Sequence, residues 1–371
     1  MPRIRHPWPR RFRPGEPFFL QWHLTSACNL RCGHCYQPGE GDGRSPRPDR
    51  EQVRQVLAGF RSLRPRAPFL PARVQLAGGE PLLAPRLFEI LSLIRGEGLP
   101  VRILTNGTLV GAAEARALAA AGVAIVQVSL DGLEETHDRL RGPGAFGRAL
   151  AGLRHLRAAG VSTTVAMCLS SANLADLDGV MALAAREADR FGFSRFVPCG
   201  RGGDRAATVL PAARLAEAFG AVQAAAGRFP GLGLPRRDPL WNVFVGQRCP
   251  SPYAAGCSAG QSGICVEADG TVYPCRRLPL PLGNAYETSL ADLWDHPLMV
   301  RLRDRDRLRG RCGRCLIRWR CGGCRGVALA VTGDPFGADP QCFDRPTLLE
   351  NVARAARSLV EAWNPPLAGG G

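Results

Sequence analysis

The sequence contains no lysine, so all 48 of its basic residues are arginine. With 32 acidic residues, the chain carries a formal net charge of +16. Nucleic-acid-binding proteins combine a basic stripe with aromatic side chains that stack on bases, but only 7% of these residues are aromatic and we find no such stripe. Abundant alanine, glycine and proline accompany the arginines, a composition typical of codon bias. The charge therefore predicts no nucleic-acid partner, and it would favour an acidic peptide or a polycarboxylate as a ligand.

Long apolar runs are also lacking. A membrane-spanning helix needs about twenty consecutive apolar residues, and the sequence has no such run. The first residues, Met1–His6, lack the apolar stretch and the small-residue cleavage site of a signal peptide. The sequence therefore predicts a cytoplasmic protein without a membrane segment. In that compartment its 14 cysteines indicate metal binding or redox chemistry rather than disulfides.

Three cysteines at C-x3-C-x2-C spacing, Cys28, Cys32 and Cys35, directly follow an apolar run that begins at Phe18. Three thiolates can hold three irons of a [4Fe–4S] cube and leave the fourth iron open to a substrate. The alternative is a structural zinc loop. Zinc sites normally show paired C-x2-C halves and a fourth ligand nearby, and neither occurs here. The spacing therefore predicts an iron–sulfur cluster with one open iron.

From Phe18 to about residue 235 the chain alternates short apolar runs with helical patterns, which predicts an α/β fold. The predicted strands are Phe18–Leu24, Arg73–Leu76, Val101–Leu104, Ile125–Ser129, Thr163–Cys168 and Phe193–Pro198. The predicted helices are Asp49–Leu63, Arg86–Gly96, Ala112–Ala121, Ala145–Ala159, Asn173–Phe191 and Pro211–Gly227. Six successive β-α units favour parallel strands with right-handed crossovers, that is, a partial (β/α)6 barrel with function at the carboxyl ends of its strands. The predicted divisions are a tail (1–16), the barrel (17–235), a loop-rich cysteine-dense domain (236–346), and a C-terminal helix, Thr347–Trp363, with a tail (347–371).

Polar loops follow the second, third and fourth predicted strands. The first of them reads G-G-E-P, in which paired glycines allow a close backbone approach and the carboxylate can accept hydrogen bonds from an ammonium. The next two carry T-N-G and S-L-D-G, and a further loop is predicted at His137–Gly142. Each of these residues taken alone is also compatible with an ordinary polar turn. The residues of interest are Gly78, Gly79, Glu80, Pro81, Asn106, Ser129 and Arg141.

Together, the cysteine triplet and the G-G-E-P loop resemble the signature of the radical SAM superfamily, in which the open iron chelates S-adenosylmethionine (SAM). The resemblance implies that Glu80 and its loop hold the SAM amino group, that Ser129 contacts the ribose, and that Arg141 contacts the carboxylate. His34 occupies the position that usually lies near the adenine, and Asn106 belongs to the same cofactor-binding set. The resemblance also implies an external electron donor of the flavodoxin or ferredoxin type.

Cys199 follows the sixth predicted strand, so it is expected at the barrel mouth. A thiol there could donate a hydrogen atom to a substrate radical, as an epimerase requires. The alternative is inert packing, which is the usual role of a free cysteine. The sequence favours packing.

Apart from Cys168, a core residue of the fifth predicted strand, the remaining cysteines are clustered in the predicted C-terminal domain, with C-x12-G-x4-C spacing followed by C-x2-C-x5-C-x2-C. Two structural zinc sites would tolerate the C-x2-C pairs. The run resembles the SPASM domain, which would give auxiliary cluster I to Cys249, Cys257, Cys275 and Cys324, and auxiliary cluster II to Cys312, Cys315, Cys321 and Cys342. In that family the last thiol of the run normally comes one residue later than Cys324. Cys265 is a spare that could replace Cys249. Two auxiliary [4Fe–4S] clusters are thus implied in addition to the one that binds SAM.

The resemblance implies that a 5′-deoxyadenosyl radical takes hydrogen from an unactivated carbon of a small-molecule or peptide substrate. A ribosomal peptide, or a peptide-derived cofactor precursor, is the leading prediction. About 17 residues precede the first strand, too few for a leader-binding domain, so a separate leader-peptide-binding protein is the expected partner. Two alternatives stay open: side-chain modification of a tetrapyrrole, in which arginines would meet propionates, and oxidation or epimerisation of a sugar or aminocyclitol. A metal-binding scaffold without SAM chemistry is a further alternative, which the G-G-E-P loop disfavours.

Overall fold

The computed structural model describes residues 18–37, 47–63, 71–248 and 256–343. The predicted N-terminal tail, the predicted helix Thr347–Trp363 and Cys249 lie outside the described residues. Among the described helices, none is long and apolar enough to cross a bilayer.

Six β-α units begin at Phe18, as the sequence predicts. Their strands are β1 (Phe18–His23), β2 (Ala72–Ala77), β3 (Val101–Thr105), β4 (Ile125–Ser129), β5 (Thr163–Leu169) and β6 (Arg190–Arg195). The helices of this part are α1 (Arg50–Leu63), α2 (Leu87–Gly96), α3 (Ala112–Ala120), α4 (Glu134–Arg141), α5 (Ala145–Ala158), α6 (Leu177–Glu187), α7 (Ala212–Arg228) and α8 (Trp241–Arg248). All six strands are parallel and adjacent in chain order. The predicted α/β fold class is confirmed.

The C-terminal part extends the same sheet. It contributes β7 (Gly263–Val266), β8 (Thr271–Tyr273) and β9 (Gly283–Asn284), followed by α9 (Leu290–Trp294), α10 (Pro297–Arg303), α11 (Gly310–Arg314) and α12 (Arg325–Thr332). Strand β7 pairs with β1 in parallel, and β8 and β9 follow in antiparallel pairing. The pair Asp269-Gly270 lies in the tight turn between β7 and β8, with Gly270 at a φ of +87°. The sequence did not predict that this part would join the barrel sheet.

Alternation along β1 separates a dry face from a polar face. Leu20 and Trp22 are fully buried against the outer helices, whereas Gln21 and His23 point to the opposite, inner face. A large apolar side chain contributes about 1.5–3 kcal/mol when it is fully buried. A one-residue register shift would exchange the two faces, so the pairing of β1 with its neighbours is strongly specified.

The sixth unit differs from its prediction in its boundaries. The helix expected at Asn173–Phe191 is limited to Leu177–Glu187, and the strand expected at Phe193–Pro198 begins instead at Arg190. Ala188 has extended backbone angles, and the Asp189 carboxylate accepts a hydrogen bond of 2.6 Å from the Thr163 backbone N–H of the neighbouring strand. That tertiary contact ends a segment whose composition alone favours helix.

Candidate metal and cofactor site

Cys28, Cys32 and Cys35 lie on the loop that follows β1, at the carboxyl edge of the sheet. Cys32 is buried and the other two are half-buried, around a small apolar cluster with Leu30 and Ala145. Burial raises the pKa of Cys28 and Cys32, and the charge of neighbouring thiolates raises it further. A shared cation relieves both effects, because it neutralises crowded thiolates. The donor set therefore fits an iron–sulfur cluster with three protein ligands.

Two arginines flank the sulfur atoms of this loop. Arg141 Nη1 lies 3.9 Å from Cys32 Sγ. Burial would lower the pKa of Arg201, but its hydrogen bond to Cys35 and the charge of that thiolate raise it. The loop that carries Arg201 is packed so tightly that a Cβ on Gly200, at a φ of +58°, would lie 2.3 Å from a carbonyl oxygen of the cysteine loop. The sequence analysis missed Arg201, because only the fold brings this loop to the cysteines.

The paired glycines of the G-G-E-P loop contact the cysteine loop. The Gly79 N–H donates to the Thr25 carbonyl at 2.7 Å, and the Glu80 N–H donates to the Ala27 carbonyl at 2.8 Å. A Cβ on Gly79 would lie 2.2 Å from the Ala27 oxygen, and Gly78 adopts a φ of +153°. The close approach for which these glycines are needed is thus to the neighbouring loop. Their packing fixes the position of the cysteines.

Glu80 is fully buried at the end of β2 and accepts three hydrogen bonds. Oε1 accepts from Thr105 Oγ1 at 2.7 Å and from the Leu82 N–H at 3.2 Å, and Oε2 accepts from the Asn106 N–H at 2.8 Å. Burial raises the pKa of Glu80, and these hydrogen bonds oppose the shift. Among the described residues this carboxylate has no ion-pair partner. A buried carboxylate of this kind fits an ammonium group, which would satisfy its remaining lone pairs.

Asn106, at the end of β3, links this carboxylate to the cluster loop. Its side-chain Nδ2 donates to Asn29 Oδ1 at 2.9 Å and lies 3.9 Å from Cys28 Sγ, which also receives the Leu30 N–H at 3.4 Å. Donors directed at sulfur stabilise the thiolate form and tune the potential of a bound cluster. Asn106 therefore touches both the predicted metal ligand and the predicted cofactor ligand.

Asp131, which follows β4, lies at the centre of the other half of the site. Its Oδ2 accepts from Arg141 Nε at 2.6 Å and from His34 Nε2 at 2.8 Å, and its Oδ1 accepts from the Cys168 N–H at 2.6 Å. Burial alone would raise the pKa of Asp131, but the charges of Arg141 and His34 hold it well below its usual range. The sequence analysis missed this role, although the aspartate at a strand end was a visible signal.

The predicted cofactor contacts of His34, Ser129 and Arg141 stay predictions. His34 and Arg141 are brought together through Asp131, and Ser129 lies half-buried at the last residue of β4. The segment His137–Gly142 was predicted as a loop, but its first five residues belong to helix α4. Two acidic residues in the first turn and two arginines in the last turn complement the helix dipole, and they stabilise the helix.

Cys199 lies four residues after the end of β6, half-buried against Cys324 and Val327. Burial raises its pKa to about 11, opposed by the positive charge of Arg277, while the charges of Cys275 and Cys35 also raise it. The thiol is therefore protonated at neutral pH and lies between the first cysteine loop and the later cysteines. This position suits a hydrogen donor, a role that stays a prediction.

The assignment of the later cysteines to two auxiliary clusters stays a prediction, but several of these cysteines lie close together. Cys321 is close enough to Cys342 and Cys312 for their charges to raise its pKa, in addition to the larger effect of burial. Burial likewise raises the pKa of Cys324, and the charge of Cys257 adds to this effect. Cys275 and Cys315 are half-buried, and Cys249 lies outside the described residues.

The shortened cysteine run is accommodated by two glycines. Gly322 and Gly323 both lie in the left-handed region, with φ of +70° and +58°, between Cys321 and Cys324. The Gly323 N–H donates to Cys321 Sγ at 3.4 Å. Only glycine adopts two such conformations in succession without strain. The two glycines turn the chain sharply enough for adjacent cysteines to face different groups.

Cys265, the spare cysteine of the sequence analysis, lies on β7 beside Gln21 of β1. It is buried, and the charge of Cys275 adds to the burial that raises its pKa. Its Sγ also lies 3.9 Å from Glu267 Oε1. The choice between Cys249 and Cys265 as a ligand of auxiliary cluster I stays open.

Two family models match the chain. The radical SAM superfamily matches residues 22–184, and the iron–sulfur cluster-binding SPASM domain matches residues 257–316. Among solved structures, Streptococcus suis SuiB bound to S-adenosylmethionine superimposes with a TM-score of 0.70 at 19% identity, covering 89% of this chain and 78% of that one. This likeness supports the fold.

Three relatives match over most of their length. The AdoMet-dependent heme synthase of Methanosarcina barkeri is 34% identical over 89% of this chain and 97% of its own. The pre-heme d1 synthase of Dinoroseobacter shibae is 30% identical over 92% of this chain and 90% of its own. The mycofactocin maturase MftC of Mycobacterium tuberculosis is 30% identical over 88% of this chain and 83% of its own.

Proposed function

The chain belongs to the radical SAM superfamily and carries a SPASM domain, and from this premise we propose that it oxidises a carboxylate-bearing side chain of a tetrapyrrole. The observation that carries the proposal is the similarity to haem-branch relatives along nearly the whole chain. The excess of arginine over acidic residues supports it, because guanidinium groups bind carboxylates in a bidentate manner.

The proposed cofactor ligands are those on the carboxyl edge of the sheet. Cys28, Cys32 and Cys35 would hold the [4Fe–4S] cluster, and Glu80 would bind the SAM ammonium. With SAM, such a cluster supplies a 5′-deoxyadenosyl radical that removes hydrogen from an unactivated carbon. The buried Asp131 network would orient Arg141 and His34 towards the rest of the cofactor.

Two auxiliary [4Fe–4S] clusters are proposed for the later cysteines, with the ligand sets given above. Fully ligated clusters of this type carry electrons, so they would accept one electron from the side-chain radical that hydrogen abstraction leaves, which completes a two-electron oxidation. Three clusters predict about twelve iron atoms per chain, four for each cluster. About four iron atoms, or substantial zinc, would contradict the proposal of two auxiliary clusters. An electron donor of the flavodoxin or ferredoxin type stays a prediction.

Peptide maturation is the second candidate function, and the sequence analysis ranked it first. The similarity to a mycofactocin maturase favours it, but at lower identity than the similarity to the M. barkeri heme synthase. A leader-peptide-binding partner belongs to this candidate. The sugar and aminocyclitol alternative has no support among the relatives described above.

Anaerobic reconstitution separates these candidates. Reduced enzyme is incubated with SAM and iron coproporphyrin III, which carries four propionates, and 5′-deoxyadenosine and porphyrin products are followed by mass spectrometry. We expect 5′-deoxyadenosine to rise with the porphyrin and one or more propionates to be oxidised. If 5′-deoxyadenosine formation does not change with the porphyrin but increases with a precursor peptide, the proposal is contradicted and the maturase alternative is supported.

A further inference from the structure

A chain of buried hydrogen bonds crosses the inner face of the sheet where β1 meets β7. Arg276 Nη1 lies 3.2 Å from Gln21 Oε1, and Gln21 Nε2 lies 3.0 Å from His23 Nε2. His23 Nδ1 lies 2.7 Å from Glu267 Oε1. Gln21 and His23 are buried, and the Glu267 side chain is 25% exposed. The assignments above use none of these four side chains.

The direction of each hydrogen bond follows from its arginine end. A guanidinium only donates, so Gln21 Oε1 accepts and its amide N–H groups face His23. His23 Nε2 must then be the acceptor, and the ring proton lies on Nδ1, from which it donates to the Glu267 carboxylate. The chain thus runs in one direction from a cation to an anion through two neutral groups. This arrangement holds the Arg276 guanidinium in one position.

The same polarity argues against a metal ion at this place. His23 Nδ1, Glu267 Oε1 and Cys265 Sγ lie within 4.8 Å of one another, a spacing that a metal could bridge. A metal on Nδ1 would place the ring proton on Nε2, opposite the N–H groups of Gln21. Tyr36 Oη, 3.2 Å from Nε2, could accept that proton, but the Gln21 N–H would lose its acceptor in a buried site, at a cost of about 1–3 kcal/mol. The network fits a positioning role better.

Most N–H donors of the Arg276 guanidinium make no hydrogen bond among the described residues. Its guanidinium lies 5.4 Å from the centre of the Tyr36 ring, and the side chain is half-buried. Among the described residues, no carboxylate lies within ion-pair distance of it, and the bond to Gln21 is its one hydrogen bond. Arg141 and Arg195, by contrast, are each paired with an aspartate. A partly buried arginine without an acidic partner has both its charge and most of its fork available for a carboxylate.

Arg276 lies between the two cysteine-rich regions, where a substrate would bind. It follows Cys275 directly, and the ring on which it lies belongs to Tyr36, which follows Cys35 directly. Burial raises the pKa of Cys199 and Cys168, and the positive charge of Arg276 opposes both shifts. The guanidinium therefore faces the barrel interior between the first cysteine loop and the later cysteines.

We propose that Arg276 binds a carboxylate of the substrate, and that Gln21, His23 and Glu267 are its positioning residues. This inference rests on the proposed function, because it assigns a propionate of the tetrapyrrole to Arg276. Stacking on Tyr36 and the bond to Gln21 leave the outer edge of the guanidinium for two parallel N–H···O bonds.

The test compares a tetrapyrrole acid with its methyl ester. Reconstituted wild type, Arg276→Gln, Arg276→Lys and Glu267→Gln are titrated with iron coproporphyrin III and with its ester by absorbance. We expect Arg276→Gln to weaken acid binding about 10–100-fold, as loss of a hydrogen-bonded charge pair does, with no loss for the ester. Arg276→Lys should restore part of the affinity, and Glu267→Gln should show a smaller loss that is again confined to the acid. Arg154→Gln is the matched control, because Arg154 is an exposed residue of α5 that pairs with Glu187.

An unchanged acid affinity in Arg276→Gln, or an equal loss for acid and ester, would overturn the inference. Iron content and far-UV circular dichroism of each variant identify a loss of acid affinity that comes from misfolding. If Arg276→Gln misfolds, the acid and ester affinities of Arg276→Lys test the assignment instead. If the wild type binds no tetrapyrrole at all, the proposed function itself is wrong, and the inference falls with it. Wild-type binding with an unaffected variant would overturn the assignment of Arg276 alone.

Discussion

Two buried carboxylates at the edge of the sheet illustrate how residues of one type acquire different chemistry. Asp131 forms an ion pair with Arg141 and accepts a hydrogen bond from His34, so its charge is compensated inside the protein. Glu80 accepts only uncharged donors among the described residues, so its charge is left to be compensated from outside. The first carboxylate therefore orients other side chains, whereas the second is suited to bind a cation.

Replacing Glu80 with glutamine should weaken SAM binding. The change removes the negative charge of Glu80, which we propose to bind the SAM ammonium. It also places an amide N–H near the Asn106 N–H or the Thr105 hydroxyl. We expect about a 10–100-fold higher Kd for SAM, in line with the loss of a charge-assisted hydrogen bond, measured by equilibrium binding to the reconstituted enzyme. The variant Glu89→Gln, on the exposed face of α2, is the control. An unchanged Kd in Glu80→Gln would contradict the assignment of this residue.

The buried His137 should make stability depend on pH. Burial lowers its pKa to about 4, and its Nδ1 accepts the Asp131 N–H at 3.1 Å, which requires a neutral ring. In the unfolded chain the pKa is about 6.5, so its contribution is present above pH 6.5 and is lost as the pH falls towards 4, by about 3 kcal/mol in all. Urea unfolding of wild type and His137→Gln between pH 5 and 7.5 checks this. The wild type should lose more stability on acidification, and parallel curves would refute the prediction.

At the scale of elements, the site is assembled by loops that pack on one another at the strand ends. Gly79 and Gly200 each let a neighbouring backbone come within a distance that a Cβ would not allow. The G-G-E-P loop and the loop after β6 thus hold the cysteine loop from two sides. The triplet depends on these loops for its geometry, since its own segment has no regular secondary structure beyond β1.

A single methyl group should therefore disrupt the first cluster. In Gly79→Ala the new Cβ would meet the Ala27 oxygen at 2.2 Å, so the two loops must separate. We expect the loss of one cluster, about four iron atoms per chain, and of SAM cleavage, as measured by iron analysis and 5′-deoxyadenosine formation. Gly96→Ala is the matched control, because open space surrounds that position in α2. Full iron content in Gly79→Ala would show that the loop tolerates the displacement.

At the scale of the whole molecule, a buried arginine joins the barrel to the C-terminal part. Arg195, at the end of β6, bonds Asp238 Oδ2 at 2.7 Å and Asp339 Oδ2 at 3.0 Å, and all three side chains are buried. Asp339 in turn accepts the Cys324 N–H at 2.8 Å. One cation thus couples the barrel sheet to a predicted ligand of an auxiliary cluster.

Breaking this network should destabilise the protein strongly. Arg195→Met removes the ion-pair partner of two buried carboxylates, for which we expect a loss of about 3–5 kcal/mol in the free energy of unfolding. Arg228→Met removes an exposed pair with Asp178 and should cost less than about 1 kcal/mol. Urea denaturation of both variants provides the comparison. A similar decrease in the free energy of unfolding in both variants would mean that Arg195 does not hold the barrel and the C-terminal part together.

Periodicity and motif spacing are local properties of the chain, so they were enough to predict the α/β class and the order of the six β-α units, and to propose the cluster ligands. Which residues meet could be read only from the folded chain: Asp131 with His34, Arg201 with Cys35, and Arg276 with Gln21, which is 255 positions away. The tertiary structure also decided that β7 pairs with β1 and that helix α6 ends at Glu187. These contacts depend on strand register and loop packing across the fold, and no short stretch of sequence records either of them.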